Sequence, residues 1–179
     1  MLKKMVVMMS MPMFLFSAGN LFDEVRTPQK IDKCLERLEI KNSLTPVQLY
    51  QSSATCIAEE KYTQAADLYL VAVAYGYFDT ARVMDKTARD VLETLKMDNF
   101  GSLDVAKRDK FAQVLRNQLD NMRPMCQFLE ILGKPGYHPR YMIEAGKEPN
   151  AHKSVNGLIP SYNASSLWQE TRSQYLRCQ

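Results

Sequence analysis

The chain has 179 residues, of which 46% are hydrophobic and 24% are charged. This balance is ordinary for a globular protein, and the chain is long enough to bury a core without a metal ion. Its formal net charge is +3, and two of its lysines, Lys3 and Lys4, lie in a terminal stretch that we expect to be removed. The near-neutral remainder gives no electrostatic reason to expect a nucleic acid partner or an anionic membrane surface.

The first 19 residues have the pattern of a signal peptide. A short basic start is followed by an apolar stretch at residues 5–16 and then by small residues. An uncleaved anchor is the weaker alternative, because a stretch this short, broken by Pro12, does not span about 30 Å of hydrocarbon. We therefore expect cleavage near Gly19. Residues 1–19 would be the signal peptide, and residues 20–179 would form an exported domain without stable membrane insertion.

Hydrophobic residues recur at helical spacing through most of the remaining chain, which predicts a single-domain all-α bundle of six or seven helices. Two helix starts are marked by a capping hydroxyl before a proline, at Thr27-Pro28 and Thr45-Pro46. The bundle helices are expected at residues 28–39, 46–58, 62–77, 79–95, 103–122, 125–132 and 164–178. A further short helix is expected at residues 139–145.

Residues 62–77 form the most apolar of these helices. Apart from its first two residues, only Gln64 and Asp67 are clearly polar. A helix that is apolar on every face must be surrounded by other elements, so we expect it at the centre of the bundle. Gly76 is expected to end or kink it, because glycine weakens a helix and accepts left-handed backbone angles. Asp79 is then expected to cap the next helix.

The predicted mature chain contains four cysteines, Cys34, Cys56, Cys126 and Cys178. An even number in an exported chain implies two disulfides, and four cysteines allow three pairings. We predict Cys34–Cys56, because both lie on neighbouring helices joined by a short loop, and Cys126–Cys178, which would tie the last helix to an earlier one. Together with the signal peptide, the disulfides predict an oxidising compartment, most simply a bacterial periplasm.

Residues 49–80 resemble one degenerate tetratricopeptide hairpin. The positions that carry the resemblance are Leu49, Tyr62, Ala65, Tyr69 and Ala72. Ser53 and Cys56 depart from the family pattern. No second copy follows at a period near 34 residues, and stable solenoids generally need about three repeats. The resemblance therefore implies a closely packed helix pair (TPR-like) and not a repeat array.

No pattern in the sequence predicts catalysis. His138 and His152 lie in a loop-rich region without carboxylates at ligand spacing, and we interpret them as surface residues. There is no GxSxG, GxGxxG or Walker sequence. Asp85 and Arg89 are expected to form an exposed ion pair, which is typically worth a few tenths of a kcal/mol. We predict no catalytic, metal-binding or cofactor-binding residues, and no cofactor.

The segment GYHPRYM has the most unusual composition in the chain. Tyrosine, arginine and methionine are enriched at protein interfaces, and the neighbouring prolines would hold them stiffly. We therefore predict Tyr137, His138, Arg140 and Tyr141 as partner-binding residues. The alternative is that Tyr137, Tyr141 and Met142 pack this loop onto the bundle.

The chain also resembles small exported helical proteins that bacteria encode beside secreted antibacterial effectors, including immunity proteins of type VI secretion systems. The resemblance lies in the signal peptide, the paired cysteines, the stretch CIAEEKYTQAADLYLVAVAYGYFDTARVMDKTARD and the stretch GKPGYHPRYMIEAG. It implies a periplasmic protein that binds a cognate toxin and occludes it. The alternatives are a scaffold or assembly factor of the cell envelope that uses the tetratricopeptide-like hairpin, and a hydrolase without a recognisable motif.

Overall fold

The computed structural model describes residues 30–148 and 156–178. Within these ranges the α-helices are α1 Pro46–Ala58, α2 Tyr62–Arg82, α3 Val91–Phe100, α4 Val105–Asp120, α5 Arg123–Leu132, α6 Arg140–Ile143 and α7 Ala164–Glu170. Short 3₁₀ turns occupy Arg37–Glu39 and Lys86–Asp90, and a π-helical turn occupies Thr171–Tyr175. The predicted all-α single domain is confirmed. The predicted signal peptide lies outside the described residues.

The helices α1 and α2 form the predicted antiparallel hairpin. α1 begins as predicted, with Thr45 accepting a hydrogen bond from the backbone N–H of Gln48 and Pro46 at the first position. Where the two helices cross, the buried Ser53 hydroxyl donates to the Ala65 carbonyl over 2.8 Å. These small side chains let the two backbones approach closely, so α1 and α2 form a tightly packed helix pair.

α2 is the central helix of the bundle, as predicted. Thirteen of its 21 residues are buried, and it contacts α1, α4, α5 and α7. Its aromatic side chains hold the neighbouring helices: the Tyr69 ring lies 5.6 Å from Phe100 of α3 and 5.7 Å from Phe111 of α4, measured between ring centroids. No helix in the two described ranges has both the length and the apolar character needed to cross a lipid bilayer.

The predicted helix end at Gly76 is wrong, because α2 continues through this residue to Arg82. A Cβ atom at position 76 would lie 2.9 Å from the Cδ2 methyl of Leu92. The absence of a side chain at Gly76 therefore leaves room for Leu92 to pack against α2, and the glycine does not mark a helix end. Asp79 consequently lies inside α2. The prediction that it caps the next helix is therefore wrong.

The single helix predicted at residues 79–95 is also wrong. After α2 the chain forms the 3₁₀ turn and then α3. Asp85, predicted to sit on an exposed face with Arg89, is 5% exposed. Its carboxylate accepts hydrogen bonds from the backbone N–H groups of Thr87 and Glu148, each over 2.8 Å. Asp85 thus caps the 3₁₀ turn and ties it to the segment after α6.

The helix predicted at residues 28–39 is wrong over the part that is described. Residues 30–36 are not helical, and only Arg37–Glu39 form a 3₁₀ turn. The segment instead lies along α1, where the Ser52 hydroxyl donates to the Lys33 carbonyl over 2.8 Å and accepts from the Leu35 N–H over 2.9 Å. These bonds and the Cys34 disulfide satisfy the segment without a helix.

Both predicted disulfides are confirmed. Cys34 is bonded to Cys56 and Cys126 to Cys178, with Cα separations of 4.6 and 5.5 Å. The first bridge fastens the segment before α1 to the end of α1. The second joins α5 to the segment that follows α7, so both outer segments are attached covalently to the central hairpin and its neighbours.

The last helix begins as predicted but changes character before it ends. Asn163 caps α7 by accepting hydrogen bonds from two backbone N–H groups. After Glu170 the chain widens into the π-helical turn, which shifts the side-chain register. Next to each other at the end of this turn, Leu176 is 7% exposed and Tyr175 is 53% exposed.

We predict that Gly76 and Leu92 are energetically coupled. Replacing an interior helical glycine by alanine typically stabilises a helix by about 1 kcal/mol, but here the new methyl group meets Leu92. In a Leu92→Ala background, Gly76→Ala should raise the free energy of unfolding by about 1 kcal/mol, and in the native background the gain should be smaller or reversed. Urea denaturation of the four proteins measures the difference, and equal effects in both backgrounds would contradict the predicted contact.

Candidate functional site

A buried polar network lies at the C-terminal end of α2. Asp79 has no exposed surface and Arg82 is 4% exposed. The Arg82 Nε donates to Asp79 Oδ1 over 2.8 Å. The hydroxyls of Tyr137 and Tyr141 donate to the other carboxylate oxygen, Oδ2, over 2.8 and 2.9 Å. A buried carboxylate needs such donors, and here they come from α2 itself, from the loop that follows α5 and from α6.

Charge and burial act together in this network. Burial raises the pKa of the Asp79 carboxyl, and the charge of Arg82 and the two hydroxyl bonds oppose that rise. Burial and the neighbouring carboxylate raise the pKa of both Tyr137 and Tyr141 well above the usual range. Arg82 also donates from Nη2 to the Tyr137 carbonyl over 2.9 Å. The arrangement holds the loop against α2.

The four residues predicted to bind a partner therefore divide into two pairs. Tyr137 and Tyr141 place their hydroxyls on Asp79, in agreement with the packing alternative. His138 and Arg140 are exposed. The His138 Nε2 lies 3.0 Å from the Asn156 carbonyl oxygen, and Arg140 pairs with Glu144 one helical turn later. His152 lies outside the described residues.

A second feature, which we call the tyrosine cleft, is formed by Tyr77 of α2 and Tyr175 of the π-helical turn together with the charged start of α3. The two tyrosine rings are stacked, with centroids 4.4 Å apart and planes 13° apart. Tyr77 is 38% exposed and Tyr175 is 53% exposed. They line a cavity of about 360 Å³ whose further lining residues are Tyr50, Val73, Thr80, Arg89, Asp90, Leu92, Glu93 and Lys96.

The lining of the tyrosine cleft combines apolar and charged groups. Tyr50 is buried, and Val73 and Leu92 are partly buried, so these three provide apolar surface. The four charged residues contain two of each sign, and Lys96 forms an ion pair with Glu93 over 2.8 Å. The cleft can therefore accept an apolar or aromatic group, and the charged residues that border it carry no net charge.

Sequence reasoning missed this cleft. Residue 77 was expected at the end of the central helix, and residue 175 inside the helix predicted at residues 164–178. In the structure Tyr77 lies within a longer α2, and Tyr175 lies in the π-helical turn after α7. The two residues are almost 100 positions apart, and no local pattern links them.

Among the described residues, no group of three or more histidine, cysteine, aspartate or glutamate side chains is placed to hold a metal ion. No protein-family model, curated protein or solved structure matches this chain. The interpretation of its function therefore depends on its own geometry.

We predict that the hydroxyls of Tyr137 and Tyr141 stabilise the fold. Tyr137→Phe and Tyr141→Phe should each lower the free energy of unfolding by about 1–3 kcal/mol, because each change removes a donor from a buried carboxylate. The control is Arg140→Ala, whose side chain is half exposed and whose ion pair should contribute less than about 0.5 kcal/mol. Chemical denaturation measures all three, and tyrosine variants as stable as the control would contradict the network.

The same two tyrosines predict an alkaline loss of stability. Their pKa is raised in the folded protein, whereas in the unfolded chain it is about 10. Their contribution is thus fully present below about pH 10 and falls as the pH rises above that value, since only the unfolded chain loses the protons. The double variant Tyr137→Phe/Tyr141→Phe should lose stability less steeply over that range. Denaturation curves at increasing pH test this, and parallel slopes would contradict it.

Proposed function

We propose that this protein is a periplasmic protein-binding protein, and more specifically an immunity protein that neutralises a secreted antibacterial effector by occluding it. The observation that carries the proposal is the tyrosine cleft. Two stacked, exposed tyrosines from distant parts of the chain line a cavity with an apolar inner wall. Tyrosine is among the residues most enriched at binding hot spots, which lie in well-packed pockets surrounded by polar residues.

The chemistry of the cleft indicates what part of a partner it would accept. Tyr77 and Tyr175 offer ring faces and edges, and Val73 and Leu92 offer aliphatic surface. Because the two rings are already stacked on each other, an apolar or aromatic side chain of the partner would be buried against their free faces and edges and against this aliphatic surface. The net charge of the four charged residues that line the cleft is zero. They would therefore orient a bound partner more than they would select one by its net charge.

The scaffold around the cleft supports a preorganised binding surface. The Cys126–Cys178 disulfide attaches the segment that carries Tyr175, and α2, which carries Tyr77, is buried along most of its length. A surface that is already ordered loses less entropy on binding. Two disulfides with no free cysteine among the described residues favour an oxidising compartment, which agrees with the signal-like start of the sequence.

The alternative of an envelope scaffold that uses the tetratricopeptide-like hairpin has less support. Tetratricopeptide proteins bind through an exposed groove built from stacked hairpins. Here the single hairpin is covered by α3 and α4, whose Phe100 and Phe111 pack against Tyr69. The hairpin serves as the core of the bundle, and it contributes one wall of the tyrosine cleft, including Tyr77, instead of a groove between stacked hairpins.

Neutralisation of an effector tests the proposal directly. The effector encoded beside this gene should be toxic when it is directed to the periplasm, and coexpression of this protein should restore growth. Purified effector and purified protein should form a complex in size-exclusion chromatography. Growth that stays inhibited, with no complex formed, would overturn the immunity function.

We predict that the tyrosine cleft contributes most of the affinity in that complex. Tyr77→Ala and Tyr175→Ala should each weaken binding by about thirtyfold, the loss expected for a hot-spot residue worth about 2 kcal/mol. Leu119→Ala on α4 is a matched control, because Leu119 is 50% exposed and lies outside the cleft. Isothermal titration calorimetry provides the affinities. If His138→Ala and Arg140→Ala weaken binding while the tyrosine variants do not, the loop after α5 is the contact surface instead.

A further inference from the structure

A second cavity, with a different chemistry, lies between the start of α5 and the C-terminal segment. It measures about 590 Å³. Three arginines line it, Arg123 of α5 and Arg172 and Arg177 of the C-terminal segment. We call it the arginine pocket. Guanidinium groups bind carboxylate and phosphate oxygens through paired N–H donors, so a cluster of three indicates an anionic ligand.

The pocket contains more donors than the described residues satisfy. The Arg172 Nε is buried and has no hydrogen-bond partner among them. A buried donor without an acceptor is costly, and in folded proteins it usually has one. Two carboxylates, Asp120 and Glu130, also line the pocket, so its lining carries a net positive charge of one. Glu130 is a weak partner: its Oε2 lies 3.4 Å from Arg172 Nη2, and its side chain is 70% exposed.

The first turn of α5 adds a further preference for negative charge. This helix has ten residues, and its N-cap residue, Met122, makes no side-chain capping bond. Met122, Arg123 and Cys126 all line the pocket, so the first turn of α5 borders the cavity. The partial positive charge of a helix N-terminus favours anions there.

The arginines are held in position by the fold. Cys126 of the pocket is bonded to Cys178, and the Cys178 N–H donates to the Arg172 carbonyl over 3.0 Å. Arg177 has a φ of 53°, in the left-handed region that side-chain-bearing residues rarely adopt. A backbone in this conformation persists only where the surrounding structure maintains it. The second disulfide and this hydrogen bond therefore hold the backbone that carries Arg172 and Arg177 beside α5.

We infer that the arginine pocket binds the carboxylates of an acidic peptide segment. The arginines and the start of α5 select an anion. The volume of about 590 Å³ lies within the range of organic ligand sites and is much larger than a single inorganic anion. Three separate guanidinium groups match a ligand that carries several carboxylates, and an acidic peptide segment supplies these on one chain. The inference goes beyond the proposed function, because it assigns a second contact site and holds whether or not the partner is an effector.

The test measures binding of a fluorescein-labelled hexaglutamate peptide to the disulfide-bonded protein by fluorescence anisotropy. The peptide should bind, binding should weaken with added salt, and a hexaglutamine peptide should not bind. Arg123→Gln and Arg172→Gln should each weaken binding by about tenfold, as expected for the loss of a charge-assisted hydrogen bond. Glu130→Gln should strengthen binding, because it removes a competing carboxylate.

Arg108→Gln is the matched control. Arg108 is an exposed arginine near the start of α4, whereas only the last residue of that helix, Asp120, lines the pocket. Its replacement changes the net charge by the same amount. It should change the affinity by less than about twofold. An equal loss for Arg108→Gln and Arg123→Gln would show diffuse attraction and overturn the site, as would no binding at all. Inorganic phosphate that displaces the peptide at comparable concentration would overturn the peptide assignment.

Measurements of stability distinguish a lost binding site from a lost fold. If Arg172→Gln lowers the melting temperature, Arg123→Gln and Glu130→Gln decide whether the pocket binds the peptide, because both residues are exposed and their replacement should not unfold the protein. The synthetic peptides do not involve the effector, so their failure leaves the neutralisation assay unaffected, and failure of that assay leaves the peptide result standing.

Discussion

The burial of α2 on nearly every side is the constraint on which the rest of the structure depends. Thirteen of its 21 residues are buried, so other elements must cover it along its length. α1 approaches closely because small residues, Ser53 and Ala65, meet where the helices cross. The remaining helices pack through larger side chains, above all the ring cluster around Tyr69.

The end of α2 shows how the same burial governs the polar groups. Once the helix continues past Gly76, Asp79 enters the interior, where an unpaired carboxylate would be strongly destabilising. Arg82, Tyr137 and Tyr141 satisfy it, and in doing so they attach the loop after α5 to the central helix. Of the residues that were predicted to form an interface, Tyr137 and Tyr141 thus donate hydrogen bonds to a buried carboxylate.

The C-terminal segment links the core to the two surfaces that we propose as binding sites. The Cys126–Cys178 bond holds this segment against α5, and the π-helical turn rotates its side chains. As a result Tyr175 meets Tyr77 on one side, while Arg172 and Arg177 line a separate cavity. One cleft is suited to apolar groups and the other to anions, so together they could recognise a partner at two chemically different points.

The sequence by itself determined the helical class, the central helix, the hairpin, most helix starts and both disulfide pairings. The helices follow from local signals, namely hydrophobic period and capping residues. The Cys34–Cys56 pairing was predicted correctly although its premise was wrong, because Cys34 lies in a non-helical segment beside α1 and not on a helix. Only the tertiary structure decided that Gly76 lies within a helix, because Leu92 packs against it, and that residues 30–36 are not helical, because Ser52 and Cys56 bind them. It alone also decided both proposed sites, since each joins residues far apart in the chain whose orientation depends on packing and helix register.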